Sequence, residues 1–307
     1  MFAKGPARER DTMQTRRNFL TTVAAGVGAA ALRPAWTLAA DRAEIKTALN
    51  GPVGLQLWSL RESLPKDLPG TLAKVRAMGF VEVEGAGLWG QPLAAFRAAL
   101  DKAGLRCRSA HMGMERLEAD LAGALAEAKG LGATDVVCPW IPHDDKGFTR
   151  DDALKAAEKF NRFGKAAKTA GLDFGYHCHG YEMVPATEGT LFDTLAKATD
   201  SSLVSFQIDT FHAYHAGADP VALIMRYKGR VRSLHLKDEK KGFPRETGSA
   251  GATPDADVPV GTGQIDFPAV LKAAVMAGAS RYYVEDESAD PLAHIPQTVA
   301  FLEGVKL

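Results

Sequence analysis

The 307-residue sequence predicts a single-domain α/β protein of the (β/α)8, or TIM barrel, class. From residue 52 onward, short apolar runs alternate with longer amphipathic runs, and this alternation occurs eight times. Eight strand–helix units in one chain of this length are the pattern of a closed parallel barrel. At five of the eight junctions a glycine separates the helical run from the next strand, as expected for a left-handed helix C-cap; these are Gly79, Gly104, Gly132, Gly171 and Gly278.

The predicted strands are short and mostly apolar, which is typical of strands buried on both faces of a parallel sheet. They span residues 53–57, 80–83, 105–110, 135–138, 173–176, 203–208, 231–236 and 281–284. The helical runs have apolar residues spaced three and four apart. They span residues 68–78, 93–103, 117–131, 153–170, 191–198, 220–227, 267–277 and 295–302. An open doubly wound sheet is the main alternative, but no glycine-rich loop follows the first strand.

The N-terminus has the features of a secretory signal. Arg16 and Arg17 precede an apolar, alanine-rich run over residues 21–32, and small residues follow at Ala39 and Ala40. The paired arginines indicate the twin-arginine route, and the apolar run is too short to span a membrane. We therefore predict a signal over residues 1–40, a linker over 41–51 and the barrel over 52–307. The expected location is periplasmic or otherwise exported, with no stable membrane insertion after cleavage.

Composition narrows the class of partner. Lys plus Arg and Asp plus Glu both number 37, and no basic stripe interleaved with aromatic residues is present, so nucleic acid binding is disfavoured. Three cysteines, Cys107, Cys138 and Cys178, fall in or just after predicted buried strands, where thiols act as small hydrophobic side chains. A small-molecule substrate fits this composition best, and a homo-oligomer is compatible with it.

Polar residues collect where the predicted strands end. Six of the eight histidines lie at or just after these ends, which is the face of a TIM barrel that carries the active site. Buried polar groups are costly unless they are paired or bound to a metal. Histidines and carboxylates from several strands therefore predict one divalent ion, with Mn, Zn, Co or Fe suited to mixed nitrogen and oxygen ligands. The polar strand-end residues are Gln56, Glu82, Glu84, His111, His177, His179, Glu182, Asp209, His212, His235, Lys237, Asp238, Glu285, Asp286 and Glu287.

At these residues the chain resembles the xylose isomerase-like superfamily of sugar isomerases and epimerases, which also includes endonuclease IV-type enzymes (AP endonuclease family 2). The resemblance covers nearly all of the chain after the signal. Within the superfamily it resembles the exported sugar phosphate isomerase/epimerase branch, found beside oxidoreductases that make 3-keto sugars. The most specific segments are residues 54–59, 176–182, 207–209, 229–238, 260–267 and 283–285.

The resemblance implies that Asp209, His235 and Glu285 bind the metal. The superfamily usually has a Glu-x-His pattern at the fifth strand, whereas this chain has His177-Cys178-His179. Either His177 replaces the glutamate or Glu182 folds back to take its place, and we favour Glu182 because the branch motif keeps a glutamate at that spacing. The positions of His111 and Lys237 imply contact with the substrate, and we add Gln56, Trp58 and His179 as further expected substrate contacts.

The predicted chemistry follows from a metal beside a carbonyl. A divalent ion polarises the carbonyl and acidifies the adjacent C–H bond, so that a proton can move through an enediolate. We expect Glu182 and Glu285 to transfer the proton, with His177 or His179 assisting. Isomerisation, epimerisation, dehydration and elimination from a 3-keto glycoside all share this first step. The sequence does not choose among them.

Two other functions compete with a sugar isomerase, epimerase or lyase. A barrel that binds sugar without turnover would use Trp58, Trp89, Trp140 and Tyr181 for stacking, but would not need three metal ligands. An endonuclease IV-like phosphodiesterase would need ligands for three metals and a basic groove, and zero net charge argues against it. Residues 239–259 form a long loop without periodicity at the catalytic end, and their position suggests a lid over the substrate.

Overall fold

The computed structural model describes residues 43–307, and its eight parallel strands close into a barrel, which confirms the predicted fold. Around the barrel the strands run in the order β1-β10-β7-β6-β5-β4-β3-β2. Their bounds are β1 Val53–Gln56, β2 Glu82–Gly85, β3 Arg106–His111, β4 Asp135–Cys138, β5 Asp173–His177, β6 Val204–Asp209, β7 Val231–Leu236 and β10 Arg281–Val284. A separate antiparallel pair consists of β8 Asp238–Glu239 and β9 Asp257–Val258. The predicted signal at residues 1–40 lies outside the described residues.

Helices follow the barrel strands and surround them. They are α1 Leu68–Ala77, α2 Leu93–Ala103, α3 Met114–Ala119, α4 Leu121–Leu131, α5 Arg150–Thr169, α6 Leu191–Ala198, α7 Thr210–His215, α8 Pro220–Arg226, α9 Phe267–Ala277 and α10 Pro291–Gly304. Across residues 43–307 no helix is long and apolar enough to cross a membrane. The single helix predicted over 117–131 is two helices, because Asp120 interrupts it and accepts a hydrogen bond from the Gly123 amide as N-cap of α4.

The five predicted cap glycines all have positive φ angles, between 72° and 100°. They end α1, α2, α4, α5 and α9 and turn the chain toward the next strand. A residue with a Cβ is strained in this region, so glycine at these junctions sets the phase of the alternation.

The second strand is displaced from its predicted position. It spans Glu82–Gly85 rather than residues 80–83, and its two glutamates are buried in the barrel. Glu82 lies 3.5 Å from Arg108 Nε and 3.7 Å from Arg106 Nη2, so its charge is compensated. Hydrophobicity alone does not predict the bounds of this strand, because its inward-facing residues are carboxylates whose partners come from other strands.

Packing divides the barrel into an apolar outer layer and a polar interior. Outward-facing residues of the sheet pack against the helices. For example, the Phe160 ring of α5 lies 5.6 Å from the Phe174 ring and 4.9 Å from the Tyr176 ring, centroid to centroid. The opposite faces of the strands contribute polar side chains to the centre, which the register places side by side: Gln56, Glu84, Ser109, Gln207, Ser233, His235 and Asp209. The three cysteines are buried and free, as predicted. The polar interior supports the site at the mouth.

Candidate metal centre and active site

Glu84 is the centre of the hydrogen-bond network inside the barrel. Its carboxylate is fully buried and accepts hydrogen bonds from Gln56 Nε2 at 2.8 Å, Ser109 Oγ at 2.5 Å and Gln207 Nε2 at 2.9 Å. It also lies 2.6 Å from His235 Nε2. Burial would raise the pKa of Glu84, but the neighbouring imidazoles of His111 and His235 outweigh it and hold that pKa well below its usual range. Glu84 is therefore a buried anion that orients its neighbours.

Asp209, His235 and Glu285 lie together above this network. Each offers a ligand atom within 4.8 Å of those of the other two, and all three side chains are buried. His235 Nε2 faces Glu84, which leaves Nδ1 directed at Glu285 Oε2, 3.0 Å away, and at Asp209 Oδ2, 3.8 Å away. This is the arrangement of a metal-binding histidine whose second nitrogen is held by a carboxylate. The structure thus brings together three of the four expected ligands.

The donor set of this triad fits a divalent cation. Asp209 Oδ2 is buried and has no hydrogen-bond partner within residues 43–307, although Oδ1 accepts from the His212 amide at 2.7 Å. Burial raises the pKa of Asp209. The pKa of His235 is raised, because Glu285 and Glu84 outweigh the effect of burial. An unpartnered carboxylate oxygen beside two more ligands is a position where a cation would lower the electrostatic cost of burial.

Glu182 does not join the triad, which corrects the ligand and proton-transfer roles expected for it. Its carboxylate accepts hydrogen bonds from the Tyr176 hydroxyl and from the His179 amide at 3.0 Å. Tyr176 itself packs against Phe160 of helix α5. Glu182 lies in the turn at residues 181–183, and these hydrogen bonds hold its carboxylate apart from the triad. Burial raises the pKa of Glu182 to about 7. Glu182 therefore fixes the backbone of the His177–His179 segment.

A cavity of about 450 Å³ opens above the triad at the carboxyl ends of the strands. Two partly exposed tryptophans stand on its rim, Trp58 at 43% and Trp140 at 37% exposure. Trp58 Nε1 donates to Glu287 Oε1 at 2.9 Å, which fixes that ring. Flat aromatic faces beside hydrogen-bonding groups suit a sugar ring. The cavity lining also includes His111, His177, His179, His212 and Glu285.

The expected substrate contacts divide into two sets. Trp58, His111 and His179 line the cavity, as does His177. Gln56 is fully buried, and its amide is engaged by Glu84 and by the Trp58 amide at 3.0 Å, so it supports the network from below. Lys237 is also buried; its ammonium pairs with Glu287 and lies 3.9 Å from Asp257. It lines a neighbouring cavity of about 250 Å³ instead. Gln56 and Lys237 therefore contact other site residues and not the main cavity, and the sequence alone does not identify those residues.

The loop between β8 and β9 packs over this side of the mouth. Asp238, at the start of β8, accepts hydrogen bonds from the amides of Gly261 and Gly263, each at 2.9 Å, and so joins the segment before the loop to the segment after it. The buried pair of His215 and Glu239, 2.5 Å apart, supports it from beneath. A Cβ on Gly180 would lie only 2.1 Å from the Ser249 carbonyl oxygen, so the loop backbone rests directly on the turn after β5. Residues 250–254 of the loop thus line the neighbouring cavity of about 250 Å³.

Comparison with known proteins places the chain in a family. A model of the xylose isomerase-like TIM barrel matches residues 72–304. An inosose dehydratase from Lacticaseibacillus casei is 30% identical over 155 residues, which cover 48% of this chain and 51% of that protein. The chain thus spans about half the length of the curated relatives it matches.

Solved structures agree with this family. A sugar phosphate isomerase/epimerase from Parabacteroides distasonis has a TM-score of 0.68 and 25% identity, covering 82% of this chain and 98% of its own. A xylose isomerase-like TIM barrel protein from Mycobacterium smegmatis, solved with magnesium, has a TM-score of 0.61 and 17% identity, covering 82% and 95%. The protein described here belongs to the xylose isomerase-like TIM barrel family.

Proposed function

We propose that this chain is a divalent-metal-dependent enzyme that removes the proton next to the carbonyl group of a keto-sugar or cyclic keto-polyol. The observation that carries the proposal is the buried triad of Asp209, His235 and Glu285, placed beneath a cavity with tryptophans on its rim. A binding protein for sugars needs the aromatic rim but has no use for the triad. The expected isomerase and lyase reactions both begin with this proton transfer.

The triad would hold the ion and leave further coordination positions for two substrate oxygens. A bound divalent ion supplies Lewis-acid polarisation of the carbonyl, which acidifies the adjacent C–H bond. The protein's own part is to fix the ligands: Glu84 orients His235, and the His212 amide holds Asp209. Trp58 and Trp140 orient the ring of the substrate and keep water from that side.

We assign the removal of the proton to Glu287, which lines the cavity two residues after Glu285. Glu285 is needed as a ligand, whereas the Glu287 carboxylate contacts Trp58 and Lys237. Across the cavity, His177 and His179 present imidazole nitrogens instead of carboxylates. Burial lowers the pKa of His179 to about 3, so its ring is neutral.

Among the possible outcomes we favour dehydration, because relatives that are 30% identical are inosose dehydratases. In this reaction the C–H bond next to the carbonyl breaks, and its electron pair forms a C=C bond with the next carbon. The C–O bond on that carbon breaks, and the hydroxide departs with a proton as water. Isomerisation or epimerisation would begin from the same enediolate without loss of oxygen.

The proposal is tested by incubating the metal-loaded protein with an inosose and with a panel of keto-hexoses, and identifying products by NMR. We expect from at least one of them a hydroxylated unsaturated ketone or the diketone to which it tautomerises. Glu287→Gln should reduce the rate about 100-fold or more, as loss of a general base does, while the metal content stays unchanged. Isomerised or epimerised products would show that the reaction is isomerisation or epimerisation and not dehydration. Substrate binding without any product would contradict the proposal.

A further inference from the structure

The neighbouring cavity of about 250 Å³, which we name the side cavity, is a continuation of the main one. The two cavities share His179, His212 and Glu287 in their linings. One water molecule takes about 30 Å³ of the liquid, so the side cavity has room for a substituent of several non-hydrogen atoms. The rest of its wall comes from Arg61, Phe211, Lys237, Asp257 and residues 250–254 of the loop between β8 and β9.

Three side chains of this wall have buried polar atoms without hydrogen-bond partners. Within residues 43–307, these atoms are His179 Nδ1, His212 Nδ1 and Asp257 Oδ1. The side chains of His212 and Asp257 are more than nine-tenths buried. A Cβ on Gly251 would lie 3.9 Å from His212 Nδ1, so this edge of the ring faces the loop that lines the side cavity. Buried polar atoms are nearly always paired, and three around one cavity indicate a polar group as its occupant.

The two oxygens of Asp257 differ in their surroundings. Oδ2 accepts a hydrogen bond from the Glu287 amide at 2.7 Å and lies 3.9 Å from Lys237 Nζ. Burial raises the pKa of Asp257 well above its usual range, more than the Lys237 ammonium lowers it. This favours the protonated carboxyl, which has an O–H group to donate. Because Oδ2 is occupied as an acceptor, Oδ1 is the oxygen that can donate to an occupant of the side cavity.

Arg61 gives the side cavity a positive charge that no carboxylate compensates. The Lys237 ammonium pairs with Glu287, and a protonated Asp257 carries no charge. Arg61 Nη1 donates to the Trp58 carbonyl oxygen at 3.2 Å, and Arg61 forms no ion pair with any residue of the described part of the chain. A guanidinium has five N–H donors, so most of them are available. Even with neutral histidines, the wall therefore carries one net positive charge.

We propose that the side cavity binds a carboxylate group of the substrate, which makes the substrate class a keto-sugar acid. The inference rests on the proposed function and narrows its substrate. The planar fork of Arg61 matches the two oxygens of a carboxylate, and the Asp257 hydroxyl supplies a further donor. A neutral hydroxymethyl group at the same position would leave the Arg61 charge unpaired. The ring of such a substrate occupies the main cavity, above the triad.

Binding of two unreactive ligands, measured by isothermal titration calorimetry, tests this site. Methyl β-D-glucoside and methyl β-D-glucuronide have the same ring and differ only in a hydroxymethyl or a carboxylate group. The metal-loaded protein should bind the glucuronide about 10-fold more tightly or better, as expected for hydrogen bonds between charged groups. Arg61→Gln should abolish this preference, and Arg61→Lys, which keeps the charge, should retain part of it. The matched control is Arg162→Gln, because Arg162 lies in helix α5 beside Phe163 and should leave the preference unchanged.

The dependence on salt gives a second measurement that needs no variant. The preference of the wild-type protein should decrease as ionic strength rises, because it is electrostatic. Equal affinity for the two ligands would overturn the proposal, as would a preference that survives in Arg61→Gln or the absence of glucuronide binding. Neither ligand has a ketone or aldehyde group, so the result is independent of proton removal. An intact preference without turnover of any keto substrate would contradict the proposed function only.

Discussion

Glu84 positions site residues without lining the cavity itself. Its carboxylate orients the His235 ring by contacting Nε2, the nitrogen that points away from the triad, and it orients His177 through Gln207. We expect Glu84→Gln to weaken metal affinity about 10–100-fold, as loss of a partner to a metal-binding histidine does. Competition with a chromophoric chelator measures this affinity.

Glu82 provides the matched control for that experiment. It lies on the same strand two residues earlier and pairs with arginines away from the metal centre, including Arg106 and Arg108. Glu82→Gln should lower stability without changing metal affinity. Equal loss of affinity in both variants would mean that Glu84 acts through the integrity of β2 and not through His235.

Variants of Glu182 and Asp209 test whether Glu182 is a ligand of the metal. The structure places the Glu182 carboxylate against Tyr176 and the His179 amide, outside the triad. We therefore expect Glu182→Gln to retain the ion of the triad, and Asp209→Asn to lose it. Metal content measured on both purified variants decides this. Loss of that ion from Glu182→Gln would restore Glu182 as a ligand.

The sequence identified most of the site residues but not all of their roles. Histidines and carboxylates at strand ends are visible in a linear pattern, and Asp209, His235 and Glu285 do meet. Glu84 was visible as a strand-end residue, but its four partners come from four other strands. The sequence did not reveal that the Glu182 carboxylate is engaged by the Tyr176 hydroxyl and the His179 amide. Spacing along the chain does not identify such partners.

At the scale of elements, Asp193 joins helix α6 to helix α8. Its carboxylate accepts from Thr190 in a capping box, from Arg226 at 3.0 Å and from Tyr227 Oη at 2.5 Å. Burial would raise the pKa of Asp193, but these hydrogen bonds outweigh it and lower that pKa below 3.8. The stabilisation is present above the unfolded-state pKa and is lost as pH falls through the lower folded-state value.

We expect Asp193→Asn to reduce the free energy of unfolding by about 1–3 kcal/mol near neutral pH, because hydrogen bonds to a charged acceptor are lost. The difference from wild type should shrink as the pH falls through the lowered folded-state pKa of Asp193, where the wild-type carboxylate becomes protonated. Urea unfolding over a series of acidic pH values measures it. The control is Asp151→Asn, since Asp151 is also in the first turn of a helix but is 72% exposed. A difference for Asp193→Asn that is independent of pH would show that its charge is irrelevant.

The loop over residues 240–256 depends on a glycine at position 180. A Cβ there would meet the Ser249 carbonyl oxygen at 2.1 Å, so Gly180→Ala must displace the loop. We expect faster trypsin cleavage within the loop, which contains Lys240, Lys241 and Arg245, together with reduced turnover. Gly113→Ala is the control, because Gly113 lines the cavity and a Cβ there would have open space around it. Unchanged cleavage in Gly180→Ala would argue against loop packing as a determinant of the site.

Elements were predicted well where burial alone decides them. The strands β4, β7 and β10 have the bounds predicted from apolar runs, and all five cap glycines adopt the left-handed conformation. Two of the errors are at β2, where inward carboxylates hide the strand, and at Asp120, where a cap divides one predicted helix into two. Both errors arise because a polar side chain satisfied by tertiary partners or by backbone amides looks like a loop residue in sequence.

At the scale of the whole molecule, the barrel explains why distant residues form one site. Closure brings β10 beside β1 and β7, so that Glu285 reaches His235 across 50 positions of sequence. The alternation of strands and helices predicts this closure, and strand ends then share one face. Which of those strand-end residues touch each other depends on the register between strands, which no local pattern encodes. The fold was therefore predictable, and the partners within the site were only partly so.

The central claim is that this chain uses a bound divalent ion to remove a proton next to a carbonyl group. The most direct measurement is exchange of that proton with deuterated solvent, followed by NMR on an inosose and on keto-hexoses. We predict exchange by the metal-loaded protein, its loss after chelation, its return when metal is restored, and its absence in Asp209→Asn. Exchange that persists in the chelated protein, or no exchange with any keto substrate by a fully loaded protein, would contradict the claim.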